Sequence, residues 1–244
     1  MARRRSLGPA IVIALAAAAG WATVELATWP DVQRLAIEDP RSTAFQQRWR
    51  ERERAAGRSG ELDWRPVPWP RISGQLKLAI VVAEDIDFFT HRGFALGEMK
   101  RAVADAWHAR EAPRGASTIT QQLAKNLWLS PSRSPWRKAR EALLTRQLER
   151  HLSKRRILEL YLNVVEFGPG VWGAEAAARR YFGKPASALT AHEAASLAAA
   201  LPRPSAWHPG VDRSGYRRAS ERVLARMAAA GWVAQEIRRA AASP

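Results

Sequence analysis

From Ile72 onward the chain is punctuated as a succession of capped helices, and this restricts its fold more than any other feature. Leu76, Ala79, Ile80 and Ala83 recur at helical spacing and carry a helix to Glu84. Ser117 or Thr118 can cap a helix running through Leu129, and Thr118-x-x-Gln121 matches a capping box. Arg137 to His151 is amphipathic, with Leu143, Leu144 and Leu148 as its apolar stripe. Ser153 can cap a helix over 154–163. Gly168-Pro169-Gly170 breaks the chain, and a helix resumes from Gly173 to Tyr181. Thr190-x-x-Glu193 is a second capping box, ahead of an alanine-rich helix that Pro202 and Pro204 end after Leu201. A last helix is expected from Ser214 to Ala230. Few segments alternate with period two, so the expected fold is mainly α.

The N-terminus points out of the cytoplasm. Arg3, Arg4 and Arg5 precede an uncharged run from Ser6 to Val24, closed by Glu25. As a helix this run spans about 28 Å, just under the roughly 30 Å hydrocarbon core of a bilayer. Arginines before it, with Glu25 and Asp31 after it, predict a single-pass anchor with its N-terminus inside. The competing reading is a cleaved signal peptide with Ala17-Ala18-Ala19 as the cleavage site. Trp21 and the apolar residues beyond that site favour the anchor. The expected organisation is therefore a basic tip and transmembrane anchor over 1–27, a stalk and linker over 28–70, and a catalytic domain over 71–244, with its motifs within about 72–210.

Composition narrows the chemistry. There is no cysteine, which excludes disulfides, thiolate metal sites and cysteine nucleophiles. The five histidines show no metal-ligand spacing, and there is no P-loop, dinucleotide fingerprint or nucleophile elbow. The net charge of +16 calls for an anionic partner. No nucleic-acid motif accompanies it, and the anchor places the basic body away from nucleic acid.

Four clusters could carry chemistry. Glu84 to Gly93 brings three carboxylates and His91 to the end of an apolar helix, where partial desolvation would make a carboxylate a better base. Gly115 to Asn126 places small hydroxyl residues at a helix start with Lys125 two turns on, a plausible phosphate cradle. Arg133, Arg137, Lys138 and Arg140 form a basic set followed by Glu141, suited to neutralising a diphosphate. Glu159 and Asn163 share one face of the 154–163 helix, either as bracing or as plain surface. Taken singly, each cluster is equally compatible with an ordinary solvated turn, capped helix or charged face.

In this order the clusters resemble the peptidoglycan glycosyltransferases of family 51. The matching stretches are EDIDFFTHRG at 84–93, GASTITQQLAKNLWL at 115–129, RKARE at 137–141, KRRILELYLN at 154–163, GAEAAARRYFGK at 173–184 and EAASLAAALPRPSAWHP at 193–209. Nothing after Pro209 resembles a transpeptidase, so the resemblance is to the monofunctional type. It implies a lysozyme-like, mainly α domain beside a membrane. The implied reaction polymerises lipid II with inversion at the anomeric carbon, releasing undecaprenyl diphosphate.

The resemblance also implies roles. Glu84 matches the general base, and Glu141 a second essential glutamate that holds nearby basic groups. Lys125 and Arg133 match ligands of the donor diphosphate, with Arg137 and Arg140 beside them; Arg140 stands where many members carry lysine. Ser117, Gln121, Asn126 and His91 are expected to contact substrate. A diphosphate leaving group needs cations rather than a proton donor, which is why one carboxylate suffices. No organic cofactor or protein metal site is implied; Mg²⁺ or Mn²⁺ could arrive with the diphosphate. The implied partners are lipid II, the nascent strand, the bacterial inner membrane and neighbouring wall-synthesis or division proteins, with the domain in the periplasm. Two alternatives are a lysozyme-like peptidoglycan hydrolase and a non-catalytic, membrane-tethered basic module that binds wall polymer.

Overall fold

The computed structural model describes residues 7–95, 97, 117–132 and 134–242. It divides into two units, Met1–Asp31 and Val32–Pro244. The first holds one helix, α1 (Leu7–Ala27). Ile11, Val12, Ile13, Leu15, Val24 and Leu26 are all exposed on it. Among the described residues no helix is long and apolar enough to cross a membrane, so the span expected from the sequence is not confirmed.

The second unit is mainly α, as expected. Its helices are α2 (Ala44–Ala55), α3 (Gly74–Glu84), α4 (Ile119–Trp128), α5 (Pro135–His151), α6 (Lys154–Val164), α7 (Ala174–Phe182), α8 (Ala191–Ala200), α9 (Ser214–Ala229) and α10 (Gly231–Ala242). Both expected capping boxes form, at Thr118/Gln121 and Thr190/Glu193, and a third forms at Thr43/Gln46. Each satisfies two amide donors that the first helical turn leaves unpaired. Ser73, Ser134 and Ser153 cap α3, α5 and α6. α10 was not expected: the last helix read from the sequence ends at Ala230.

α3 and α6 form the core. Leu76, Ala79, Ile80, Val81 and Val82 of α3 have no exposed surface, nor have Ile157, Leu158, Leu160, Leu162 and Val164 of α6. Full burial of each large aliphatic side chain contributes about 1.5–3 kcal/mol, so these two helices are the least movable parts of the unit. α3 packs on α8, α9 and α10; α4 packs on α2, α5 and α6.

The 28–70 stretch is not set apart as a stalk. The compact unit begins at Val32. Arg156 of α6 donates to Leu35 O (2.7 Å) and Glu38 O (2.9 Å) and pairs with Asp39. Arg48 of α2 donates to Leu129 O at the end of α4 (2.9 Å). β1 (Asp63–Trp64) lies parallel to β3 (Val171–Trp172), which pairs antiparallel with β2 (Glu166–Gly168) across an irregular register. Gly173 follows at φ +82°, and a Cβ there would meet Asn163 O at 2.5 Å, so only glycine allows this turn to close on α6.

Asn163 and Glu159 brace this region, one of the two readings of their spacing. The Asn163 side chain accepts from Val67 N (2.9 Å) and donates to Val67 O (2.9 Å) and Glu159 O (3.0 Å). Glu159 accepts from Trp69 N (2.7 Å). The segment leading into α3 is thereby held to α6.

Candidate active site

Glu84 is the last residue of α3, where the helix leaves its carbonyls unpaired. It is half-buried. Desolvation holds its carboxyl above the usual range, and neighbouring Asp85 adds to this. A hydrogen bond from Gln122 and the cations Lys125 and Arg226 work the other way. The negative end of the α3 dipole adds to the upward push. Such a carboxylate is a stronger base than a solvated one.

Gln122, on α4, donates its Nε2 to Glu84 Oε2 at 2.7 Å. Its Oε1 accepts from the hydroxyl of Tyr161 on α6 at 2.9 Å. Neither residue was singled out from the sequence. Gln121 was, but it is buried (3% exposed) and serves the capping box, its Oε1 accepting from Thr118 N at 3.0 Å. The helical turn aims Gln122, not Gln121, at Glu84.

The start of α4 is also not a phosphate cradle. Three of its amides are already taken, Ile119 N by Asp85 Oδ2 (3.0 Å), Gln121 N by Thr118 Oγ1 (3.2 Å) and Thr118 N by Gln121. Asp85 is 2% exposed and fills the place an anion would have. His91 belongs to the same brace rather than to a substrate-facing surface. Its Nδ1 accepts from Gly93 N (3.1 Å), leaving the proton on Nε2, which faces both oxygens of Asp85 at 2.9 and 3.1 Å. The loop is pressed close behind it: a Cβ on Gly93 would meet Thr145 of α5 at 2.7 Å. Asp85 and His91 therefore fix the Glu84 backbone against α4 and α5.

Lys125 lies one turn beyond Gln122. Burial pushes its ammonium pKa down, Glu141 most strongly opposes this, Arg137 and Lys138 reinforce it, and Glu84 opposes it. Lys125 therefore senses both carboxylates and the cations of the basic set. Glu141 is 2% exposed on α5 and is clasped by Arg137 on one oxygen and Lys138 on the other. The arginine and lysine are four and three residues before it, on the same face. A buried carboxylate between two cations holds their heads in place while leaving net positive charge for an anion. Arg140 is half-buried on the same helix.

Ser117 is exposed at the lip, its carbonyl facing the Gln122 amide at 3.4 Å. Asn126 is buried and donates to Gln122 O at 2.9 Å. Arg133 lies outside the described residues. Arg226 of α9, not anticipated from the sequence, approaches the last turn of α3, with Nη1 at 3.5 Å from Ala83 O. Among the described residues no group of three His, Asp or Glu side chains could hold a metal.

A carboxylate of raised basicity is thus within electrostatic reach of a half-buried ammonium, itself near a carboxylate-ordered pair of cations. This can deprotonate a hydroxyl and stabilise a departing anionic group at one place. A family model described as Transglycosylase matches residues 53–228. The chain is 45% identical to the biosynthetic peptidoglycan transglycosylase of Thiobacillus denitrificans over 184 residues, covering 75% of this chain and 77% of that protein. It is 49% identical to the biosynthetic peptidoglycan transglycosylase of Laribacter hongkongensis over 166 residues, covering 68% and 73%. A third protein of that name, from Nitrosospira multiformis, is 43% identical over 192 residues, covering 79% and 84%.

Proposed function

The chain belongs to the transglycosylase family, and from that premise we propose that it polymerises lipid II into peptidoglycan glycan strands, releasing undecaprenyl diphosphate. Glu84 takes the proton from the acceptor 4-hydroxyl as that oxygen attacks C1 of the donor sugar with inversion. The C1–O bond to the diphosphate breaks, and its electrons leave on the diphosphate. Lys125, Arg137 and Arg140, with Arg133, neutralise that charge. Glu141 orders the cations. Any divalent ion arrives with the diphosphate, and no protein ligands are assigned to it.

One observation carries the assignment of roles. Glu84 at the end of α3 and the Glu141–Arg137–Lys138 set on α5 both lie within electrostatic reach of Lys125 on α4. A base for the acceptor and cations for the leaving group are needed at opposite ends of one reacting centre. A glycosidase acting on finished glycan has an uncharged leaving group and needs a carboxylate acid instead.

We also propose that α1 tethers the chain to the bacterial inner membrane with the catalytic unit in the periplasm. Supporting this are the uncharged run from Ser6 to Val24 behind three arginines and the exposed aliphatic side chains of α1. Polymerisation of purified lipid II, read as glycan chains with matching release of undecaprenyl diphosphate, tests the activity. Cleavage of finished peptidoglycan without polymerisation would overturn it.

A further inference from the structure

We infer that Tyr161 is a positioning residue for Glu84, acting through Gln122: its hydroxyl locks the Gln122 amide so that Nε2, and not Oε1, faces the base. This rests on the reading of Glu84 as the base.

The geometry is a three-membered chain across three helices. Tyr161 Oη donates to Gln122 Oε1 at 2.9 Å, and Gln122 Nε2 donates to Glu84 Oε2 at 2.7 Å. A primary amide is nearly symmetric in shape, so its orientation is decided by its partners. With Glu84 ionised, only one orientation satisfies all three groups. Oε1 turned toward the carboxylate would set two acceptors against each other. Tyr161 is fully buried on α6, the helix whose aliphatic residues make up much of the core, so its hydroxyl is a fixed reference point. Burial, aided by Glu84 and Asp85, keeps the phenol protonated and therefore a donor. Gln122 is the adjustable link, half-buried on α4.

The consequence concerns both the direction and the basicity of Glu84. Holding Oε2, with no partner to Oε1 among the described residues, presents Oε1 to the proton of the incoming hydroxyl. The amide donor also favours the ionised form. The other groups acting on Glu84 are Asp85 beside it, Lys125 from α4 and Arg226 from α9. None of these is altered by removing the Tyr161 hydroxyl. Without it the amide samples both orientations, and the base loses part of the hydrogen bond from Gln122.

The test compares wild type, Tyr161→Phe, Gln122→Ala and the double variant, as full-length protein in detergent. The Glu84 carboxyl is titrated by carbon NMR, and polymerisation is followed against pH. Tyr161→Phe should move the Glu84 titration and the acid limb of kcat/KM upward together, by about half a unit to one unit. Rates would then fall about three- to tenfold below that limb and little above it. Gln122→Ala should move both at least as far, and the double variant no further than Gln122→Ala. An unchanged titration in Tyr161→Phe, or shifts that simply add in the double variant, would overturn the inference. So would an unchanged titration in Gln122→Ala, which needs no change in the core. A loss of rate equal at all pH values would mark Tyr161 as packing only. The NMR titration does not require turnover, so absence of polymerisation by the wild type would overturn the proposed function without deciding this coupling.

Discussion

At the residue scale, Glu84 combines activity with a stability cost. Its folded pKa is raised, so between the unfolded value and the folded value the native state binds more protons than the unfolded one. Stability therefore falls as pH rises through that window. Glu84→Gln removes the ionisation and should melt above the wild type at pH 8, with the gap closing toward pH 4.5; differential scanning calorimetry across pH checks this. Glu166 follows the same sign, its carboxyl pushed by burial up to about 7. Glu166→Gln should flatten the loss of stability between about pH 4.5 and 7, while wild-type slope in the variant would contradict this. Lys125→Ala removes a charged contact and should raise KM for lipid II on the order of tenfold to a hundredfold. Unchanged steady-state kinetics at limiting lipid II would contradict the diphosphate role. The place of Glu84 at the end of an apolar helix marked a cluster of three carboxylates, and the resemblance of the 84–93 stretch singled out Glu84 among them. Gln122 and Tyr161 were not legible, because their contacts join residues nearly forty positions apart.

At the element scale, caps and breakers were readable and long-range satisfaction was not. Thr118 and Gln121 lie within one turn of each other, so the capping box and the start of α4 follow from four residues. The same residues suggested free amides, and Asp85, 34 positions upstream, takes the one on Ile119. The sheet was missed because strands of two and three residues have no room for a period-two signal. α6 serves two sides at once, with Tyr161 toward the base and Asn163 toward the segment entering α3. Asn163→Ala leaves the buried Val67 amide and carbonyl without their side-chain partner. It should cost about 2–3 kcal/mol in denaturant unfolding. A cost near zero would mean that this segment is held by packing alone.

At the scale of the whole molecule, the motif order and the charge were enough to expect a mainly α transglycosylase, and the family match covers most of the second unit. The domain boundary was not legible. Gln46 to Arg54 shows no broad apolar face, yet Arg48 there reaches Leu129 O, and Arg156 of the body reaches Leu35 O further upstream. Such contacts leave no hydrophobic pattern. Deleting residues 1–31 should leave the melting temperature of the remaining chain within about 2 °C. It should also abolish flotation with phosphatidylglycerol vesicles at high salt, where charge attraction is screened. Retained flotation at high salt would contradict the tether. The most direct test of the central assignment compares wild type and Glu84→Gln on purified lipid II, with glycan chains resolved on a gel and lipid II binding measured alongside. The expected result is chains from the wild type only, a loss of at least about a hundredfold in the variant, and binding retained by both. Glycan chains of normal yield from Glu84→Gln would contradict it.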